Sequence, residues 1–257
     1  NQIKHSAVKE LLFYNKIKTG LEIHYDGDLP ARSGMGSSSS FSVGLMKALY
    51  TLKKKEISNL NLAKKVIFFE QKILKEHVGS QDQIAASVGG FNKILFSKNG
   101  KIVVKNFKSN NLKKLNSNLL LLYTGLQRTA QNIAKKYVKK IIKEKKTNIN
   151  KIIEYVDEAE KLIVSGKLND FGKLLNEAWE EKKRLSSYIT NSRIDSIYEI
   201  ALKNGALGGK ILGAGGGGFL LLYVKKENQK KILDKMKNIV HIPFKFSNIG
   251  AQVILKT

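Results

Sequence analysis

At 257 residues, with 42% hydrophobic and 26% charged positions, 2 Pro and 21 Gly, the chain is long enough for one large or two modest domains and is neither disordered nor collagen-like. The absence of Cys excludes disulfides, thiolate zinc sites and cysteine nucleophiles, and 4 scattered His argue against an imidazole metal site, which leaves carboxylates, hydroxyls or a bound cofactor to do any chemistry. Lys+Arg number 46 against 21 Asp+Glu, a formal charge of +25, but the excess is almost wholly Lys at helical spacing, as in Lys135, Lys136, Lys139, Lys140 and Lys143; this pattern makes a solvated face, weighs against nucleic acid as a partner and steers small anions toward a cleft.

From Asn1 the chain enters directly an amphipathic stretch, Ile3 to Lys18, with apolar residues at Ile3, Ala7, Val8, Leu11, Leu12 and Ile17; the spacing predicts a helix, met as though an upstream segment preceded it. Alternation over Gly20 to Tyr25 predicts a strand. A glycine loop follows, Asp28 to Gly36, and apolar spacing through Phe41, Val43, Leu45, Met46, Leu49 and Leu52 predicts a helix from Ser37 to Leu52. Another helix is expected over Leu60 to Glu76, then a polar loop holding Gly79-Ser80-Gln81-Asp82-Gln83. Lys93 to Phe96 and Ile102 to Phe107 flank Lys98-Asn99-Gly100-Lys101, where Asn-Gly signals a hairpin with a primed turn. Lys105 to Asn116 is polar and basic, the best place for a domain boundary. Beyond it come a strand over Asn118 to Tyr123, a mostly helical region from Ala130 to about Asn204, a strand at Lys210 to Leu212, a glycine run, a strand over Phe219 to Val224, a helix over Glu227 to Asn238, and strands near Ile242 to Phe246 and Ala251 to Leu255. Strands crossed by one helix point to a split βαβ, ferredoxin-like second domain. No apolar run approaches the roughly 20 residues that span a bilayer and no signal pattern opens the chain, so the expectation is a cytoplasmic protein with no membrane partner.

Three stretches carry chemistry. Gly34-Met35-Gly36-Ser37-Ser38-Ser39-Ser40 lies between a strand and a long helix, so glycine backbone, unpaired helix amides and hydroxyls meet at one point. That combination suits an anion, and one of the serines could ligate Mg²⁺; a serine N-cap is the plainer alternative. No Walker-type loop occurs. Gly213-Ala214-Gly215-Gly216-Gly217-Gly218 contains G-x-G-x-x-G, but a strand-like run follows where a dinucleotide fold needs a helix, so close backbone approach to a ligand or to the first glycine loop is the better reading. Glu70 sits among Val66, Ile67, Phe68, Phe69, Ile73 and Leu74 and needs a partner, a cation or a Lys; Asp82 sits in the loop beyond, either functional or a helix N-cap.

Together these stretches resemble the GHMP small-molecule kinases. The second motif of that family, P-x-x-x-G-L-G-S-S-A-A, is similar to Pro30-Ala31-Arg32-Ser33-Gly34-Met35-Gly36-Ser37-Ser38-Ser39-Ser40, and its third, K-x-x-G-A-G-G-G-G, to Lys210 through Gly218. Val78 to Ala86, Gly89 to Asn92, Tyr123 to Arg128 and Trp179 to Leu185 resemble the subgroup that phosphorylates the anomeric hydroxyl of D-glycero-D-manno-heptose 7-phosphate; fucokinases share the Gln-Asp-Gln core. The first motif of the family has no counterpart in this sequence.

The resemblance implies an α+β fold, with an incomplete ribosomal-protein-S5-like ATP-binding domain over residues 1–113 and a ferredoxin-like domain with added helices over residues 114–257. It implies ATP and Mg²⁺ as cofactors and a sugar phosphate as substrate. Ser33, Gly34, Met35, Gly36, Ser37, Ser38 and Ser39 would cradle ATP phosphates, Ser38 and Glu70 would hold Mg²⁺ with Ser37 as the fallback hydroxyl, and Asp82 would take the proton of the sugar hydroxyl. Gln81, Gly213, Ala214, Gly215 and Gly216 would contact substrate, and Arg128 is the candidate for its phosphate because Arg suits phosphate and only four are present. A fucose or other sugar 1-kinase, a basic nucleic-acid-binding module and a silent fragment that only associates with a partner are the competing expectations; an unpaired sheet edge would also allow a homo-oligomer.

Overall fold

The computed structural model describes residues 3–29, 33–126 and 144–255. Arg128 and the lysines from 135 to 143 lie outside that set. The chain divides into two compact units, one made of residues 1–31, 36–107 and 247–257, the other of residues 32–35 and 108–246.

The first unit is helical with one hairpin. Helices α1 (Ser6–Tyr14), α2 (Ser37–Leu52) and α3 (Asn59–Phe68) bury Leu11, Val43, Met46, Leu49, Leu62 and Val66 against one another, and α3 runs on into a π-helical turn, Phe69–Ile73. Helix α2 has the bounds that its apolar spacing predicts, whereas the long second helix expected from Leu60 is broken by the wider turn: Leu74 N–H donates to Phe69 O at 2.9 Å, five residues back. One residue too many in the turn rephases the helix, so the successive residues Phe69 and Glu70 are both buried while Phe68 is exposed. Helix α4 (Gln81–Val88) and one face of the hairpin β1 (Asn92–Phe96) and β2 (Ile102–Asn106) close a smaller cluster around Ala63, Ile67 and Ile84. The hairpin turn differs from the primed one expected. Ser97 N–H donates to Lys101 O, and Gly100 alone takes positive φ, 79°, so three residues connect the strands with the glycine as the bulge.

Two expected strands do not form. Residues 20–25 are exposed and non-strand, because a strand needs a partner for its amides and carbonyls and none of the described residues supplies one. Residues 251–255 are likewise unpaired as a strand; the tail instead docks by Gly90 N–H to Ser247 O and Ala251 N–H to Ala86 O, both 2.9 Å.

The second unit is built on a four-stranded antiparallel sheet of order β4-β5-β3-β6, with β3 at Leu119–Tyr123, β4 at Ala206–Ile211, β5 at Phe219–Val224 and β6 at Val240–His241. Helix α5 (Leu112–Ser117) precedes β3. Helices α6 (Lys146–Val164), α7 (Leu168–Lys183) and α8 (Ser192–Lys203) connect β3 to β4, and α9 (Lys226–Lys235) connects β5 to β6. With its strands taken in chain order as first to fourth, the sheet reads two-three-one-four, the ferredoxin-like arrangement. The strand expected near Ile242 to Phe246 does not form: β6 is the two residues before it, and the ladder stops short of Pro243, which has no N–H to give. Leu120, Leu122, Leu220, Leu222, Trp179, Ile197 and Tyr198 fill the core.

Helix α7 approaches β4 very closely: a methyl at Gly208 would stand 2.1 Å from Gly172 O. Gly208→Ala should therefore lower stability by about 2 kcal/mol, the usual cost of overpacking, whereas Gly44→Ala, in α2 with nothing within 4 Å, should raise it by up to about 1 kcal/mol through helix propensity. Urea midpoints of the two variants check the opposite signs.

Candidate active site

In the second unit the hairpin loop between β4 and β5 is the glycine run, and the main chain of Ser33 and Gly34 lies directly on it. A methyl at Gly34 would meet Leu212 O at 2.9 Å, one at Gly213 would meet Gly34 Cα and O at 3.0 Å, and one at Gly218 would meet Ser33 O at 2.0 Å. Backbone packs on backbone with no room for a Cβ, so the two sequence-distant stretches converge as the sequence led us to expect. The loop is held from the other side: Gly216 N–H donates to Ile189 O at 2.7 Å, Gly218 N–H to Leu126 O at 2.8 Å, and Thr124 Oγ1 to Gly218 O at 2.8 Å. Ser33 is buried, and its hydroxyl has no hydrogen-bond partner among the described residues. Met35 is exposed; Gly215 and Gly216 are buried, Ala214 is half-buried and Gly213 is exposed.

In the first unit the N-terminus of α2 meets two carboxylates. Gly36 is its N-cap at φ 74°, a left-handed conformation that glycine adopts without strain, and no side chain caps the first turn. The serines are therefore not caps, and the first amides of a 16-residue helix point outward with the positive end of its dipole. Ser37 is half-buried, Ser38 exposed and Ser39 buried. Ser39 Oγ donates to Glu70 Oε2 at 3.0 Å, and Gln83 Nε2 donates to the same oxygen. Glu70 is 1% exposed, and its second oxygen, Oε1, has no partner among the described residues. No Lys pairs with Glu70 among the described residues; a serine and a glutamine bond its Oε2, and of the four serines it is Ser39 that touches the carboxylate.

Asp82 is the second residue of α4, after the N-cap Ser80, and so does not cap that helix. It packs on the α2 cap: a methyl at Gly36 would lie 3.1 Å from its Cβ and Cγ and 3.3 Å from Oδ2. Burial pushes its carboxyl above the ordinary aspartate range, a shift that a hydrogen bond from Gln81 moderates. Gln81 itself is exposed. Gly36, Ser39, Glu70 and Asp82 thus gather in one unit, Ser33, Gly34, Gly213 and Gly216 in the other. Gln83 was not singled out from the sequence, although it stands in the Gln81-Asp82-Gln83 run; one residue of helix turns it about 100° from Asp82 and toward Glu70.

Known proteins share this organisation. Residues 1–90 match the GHMP kinases N terminal domain and residues 159–241 the GHMP kinases C terminal domain. The chain is 32% identical to the D-glycero-alpha-D-manno-heptose 7-phosphate kinase of Campylobacter jejuni, over 93% of its own length and 72% of that protein. It is also 32% identical to the mevalonate kinase of Methanocaldococcus jannaschii, over 90% and 70%. The crystal structure of a D-glycero-D-manno-heptose 1-phosphate kinase from Bacteroides thetaiotaomicron superposes with a TM-score of 0.72 at 23% identity, covering 95% of this chain and 72% of that one, and so shares the fold. A glycine loop packed on a second glycine run, a carboxylate against the head of α2 and these likenesses together make the chain a member of the GHMP kinase family, the ATP-dependent phosphotransferases to which those relatives belong.

Proposed function

We propose that this kinase transfers the γ-phosphoryl group of ATP to the anomeric hydroxyl of D-glycero-D-manno-heptose 7-phosphate. The observation that carries the reading is Asp82, a partly buried carboxylate of raised pKa lying against the open N-terminus of α2. Phosphoryl transfer needs placement and charge neutralisation more than covalent chemistry. The main chain from Ser33 to Ser39 and the unpaired amides of α2 hold the phosphates. Asp82 accepts the proton of the anomeric hydroxyl as its oxygen bonds to the γ-phosphorus and the bond to ADP breaks. A raised pKa makes Asp82 a better acceptor than an ordinary aspartate, and an anomeric hydroxyl is more acidic than a simple alcohol. Gln81 and the 213–216 loop contact the sugar, and Arg128 takes its 7-phosphate.

Glu70 and the serines beside it fit Mg²⁺: the donors are all oxygen, one carries charge, and the buried Oε1 lacks a partner. Glu70 with Ser39 or its neighbour Ser38 would hold the ion, which supplies positive charge to the phosphates when bound.

ADP release measured with a panel of free and phosphorylated heptoses and hexoses, L-fucose and mevalonate tests the substrate. The highest kcat/KM is expected for heptose 7-phosphate; preference for free fucose or for mevalonate would overturn the assignment. Asp82→Asn should lower kcat at least a hundredfold while AMP-PNP binds as before, and the wild-type acid limb of kcat/KM should fall above the ordinary aspartate pKa, because turnover needs the deprotonated carboxylate and its pKa is raised. An unchanged kcat would remove Asp82 from this role. Glu70→Gln, which keeps an acceptor for Ser39, should raise the Mg²⁺ concentration for half-maximal rate by about tenfold or more.

A further inference from the structure

The second unit holds two lysines that the mechanism above does not use. Lys182, in the last turn of α7, and Lys210, in β4, are both half-buried beside the glycine loop. The Lys182 ammonium donates to Gly213 O at 2.7 Å and to Ile211 O at 3.2 Å, and it lies 6.0 Å from the centre of the Trp179 ring. Lys183 faces the same ring at 5.9 Å, and Lys210, the residue before Ile211 in β4, is the charged group whose field acts on Lys182. No carboxylate among the described residues pairs with either lysine. The acids nearby are engaged elsewhere: Glu180 pairs with Lys183 at 2.8 Å, and Glu181 is held by Asn148 and Lys151 of α6 and by Arg184. From α8, Tyr198 faces this region with its hydroxyl donated to Asn176.

Charging two amines that are partly withdrawn from water at one loop, with no carboxylate partner among the described residues, is costly in the free protein. Acids are scarce in this chain but not absent, and those on the same helix turn to other partners. A negative charge brought by a ligand would compensate them where the chain itself does not. It must be compact, multiply charged and rich in acceptors, because it meets two point cations and the main chain of a glycine loop. We propose that Lys182 and Lys210 form a phosphoryl-binding pair at the β4–β5 loop, which in this kinase receives the phosphate that a phosphorylated acceptor already carries or a phosphate of the nucleotide. Only the choice of the acceptor's phosphate rests on the function proposed above; the cation pair does not. Desolvation and the neighbouring Lys210 bring Lys182 down to about 7, and burial lowers Lys210 as well. At pH 8 Lys182 is then largely neutral in the free protein, and a bound dianion draws a proton onto it.

The test uses the full chain and three ligands: D-glycero-D-manno-heptose 7-phosphate, the free heptose and AMP-PNP, each titrated calorimetrically at pH 8 in two buffers of different ionisation enthalpy. Lys182→Met and Lys210→Met are expected to weaken heptose 7-phosphate about tenfold or more, to leave the free heptose unchanged, and to remove the proton uptake that accompanies binding by the wild type. Weakening of AMP-PNP in place of the sugar phosphate assigns the pair to the nucleotide and also sustains it. Lys182→Arg, which keeps the charge, should retain binding, and Lys210→Met should raise Tm because it removes an uncompensated cation. Unchanged affinity for all three ligands in both Met variants, or a lowered Tm for Lys210→Met with binding intact, would overturn the proposal. If the wild type binds AMP-PNP but no heptose 7-phosphate, the substrate assignment fails on its own and the AMP-PNP arm still decides the lysines.

Discussion

The arrangement of the second unit turns on one contact, the seating of Ser33 and Gly34 on the Gly213–Gly218 loop with no side chain between the two main chains. Such an approach is available only where a glycine stands at the point of contact, as Gly34 does against Leu212 and Gly218 against Ser33. The ferredoxin-like sheet is what makes it possible. Strands β4 and β5 are paired along their length and fix the two ends of the loop, while Ile189 holds its middle at Gly216 and Thr124 and Leu126 hold its last residue, Gly218, by hydrogen bonds. The loop is therefore fixed by the chain's own bonds.

A second theme is electrostatic incompleteness. Among the described residues, Glu70 keeps one oxygen unpartnered at 1% exposure and Ser33 buries a hydroxyl without a partner, while Asp82 is held above its ordinary pKa and Lys182 below. Each arrangement costs stability in the free chain; Glu70 and Asp82 lie by the head of α2 in the first unit, Ser33 and Lys182 by the glycine loop in the second. Glu181, nearly as buried as Glu70, by contrast accepts from Asn148, Lys151 and Arg184 and is held below the usual carboxylate range. Of two buried glutamates, one ties helices together and the other keeps an oxygen without a partner among the described residues.

Much of this was legible in the residues because it was local or periodic. Helix α2, the β1–β2 hairpin, β3 and β5 follow from apolar spacing and turn residues, and the glycine stretches announce themselves by composition. What was not legible depended on distant partners. Residues 20–25 alternate like a strand, yet alternation cannot supply the neighbour that a strand requires. The π turn at Phe69–Ile73 leaves no compositional trace, since Phe68, Phe69 and Glu70 suit an ordinary helix equally well; only packing of both Phe69 and Glu70 into the interior selects the wider turn. The choice of Ser39 over its neighbours depends on that same rotation, and Gln83 as the second donor to Glu70 depends on where α4 lies beside α3.

The tail has a bearing on how the first unit comes to exist. Its helices and hairpin are complete by Phe107, but residues 247–251 lay the final main-chain bonds onto Ala86 and Gly90, with Gly250 pressed against Ser87 O. During synthesis the ribosome must therefore deliver the whole intervening unit before the earlier one is sealed. The nascent helices wait, partly open, for a clasp encoded some 150 residues downstream, and this long sequence separation makes the closing step a slow and late one.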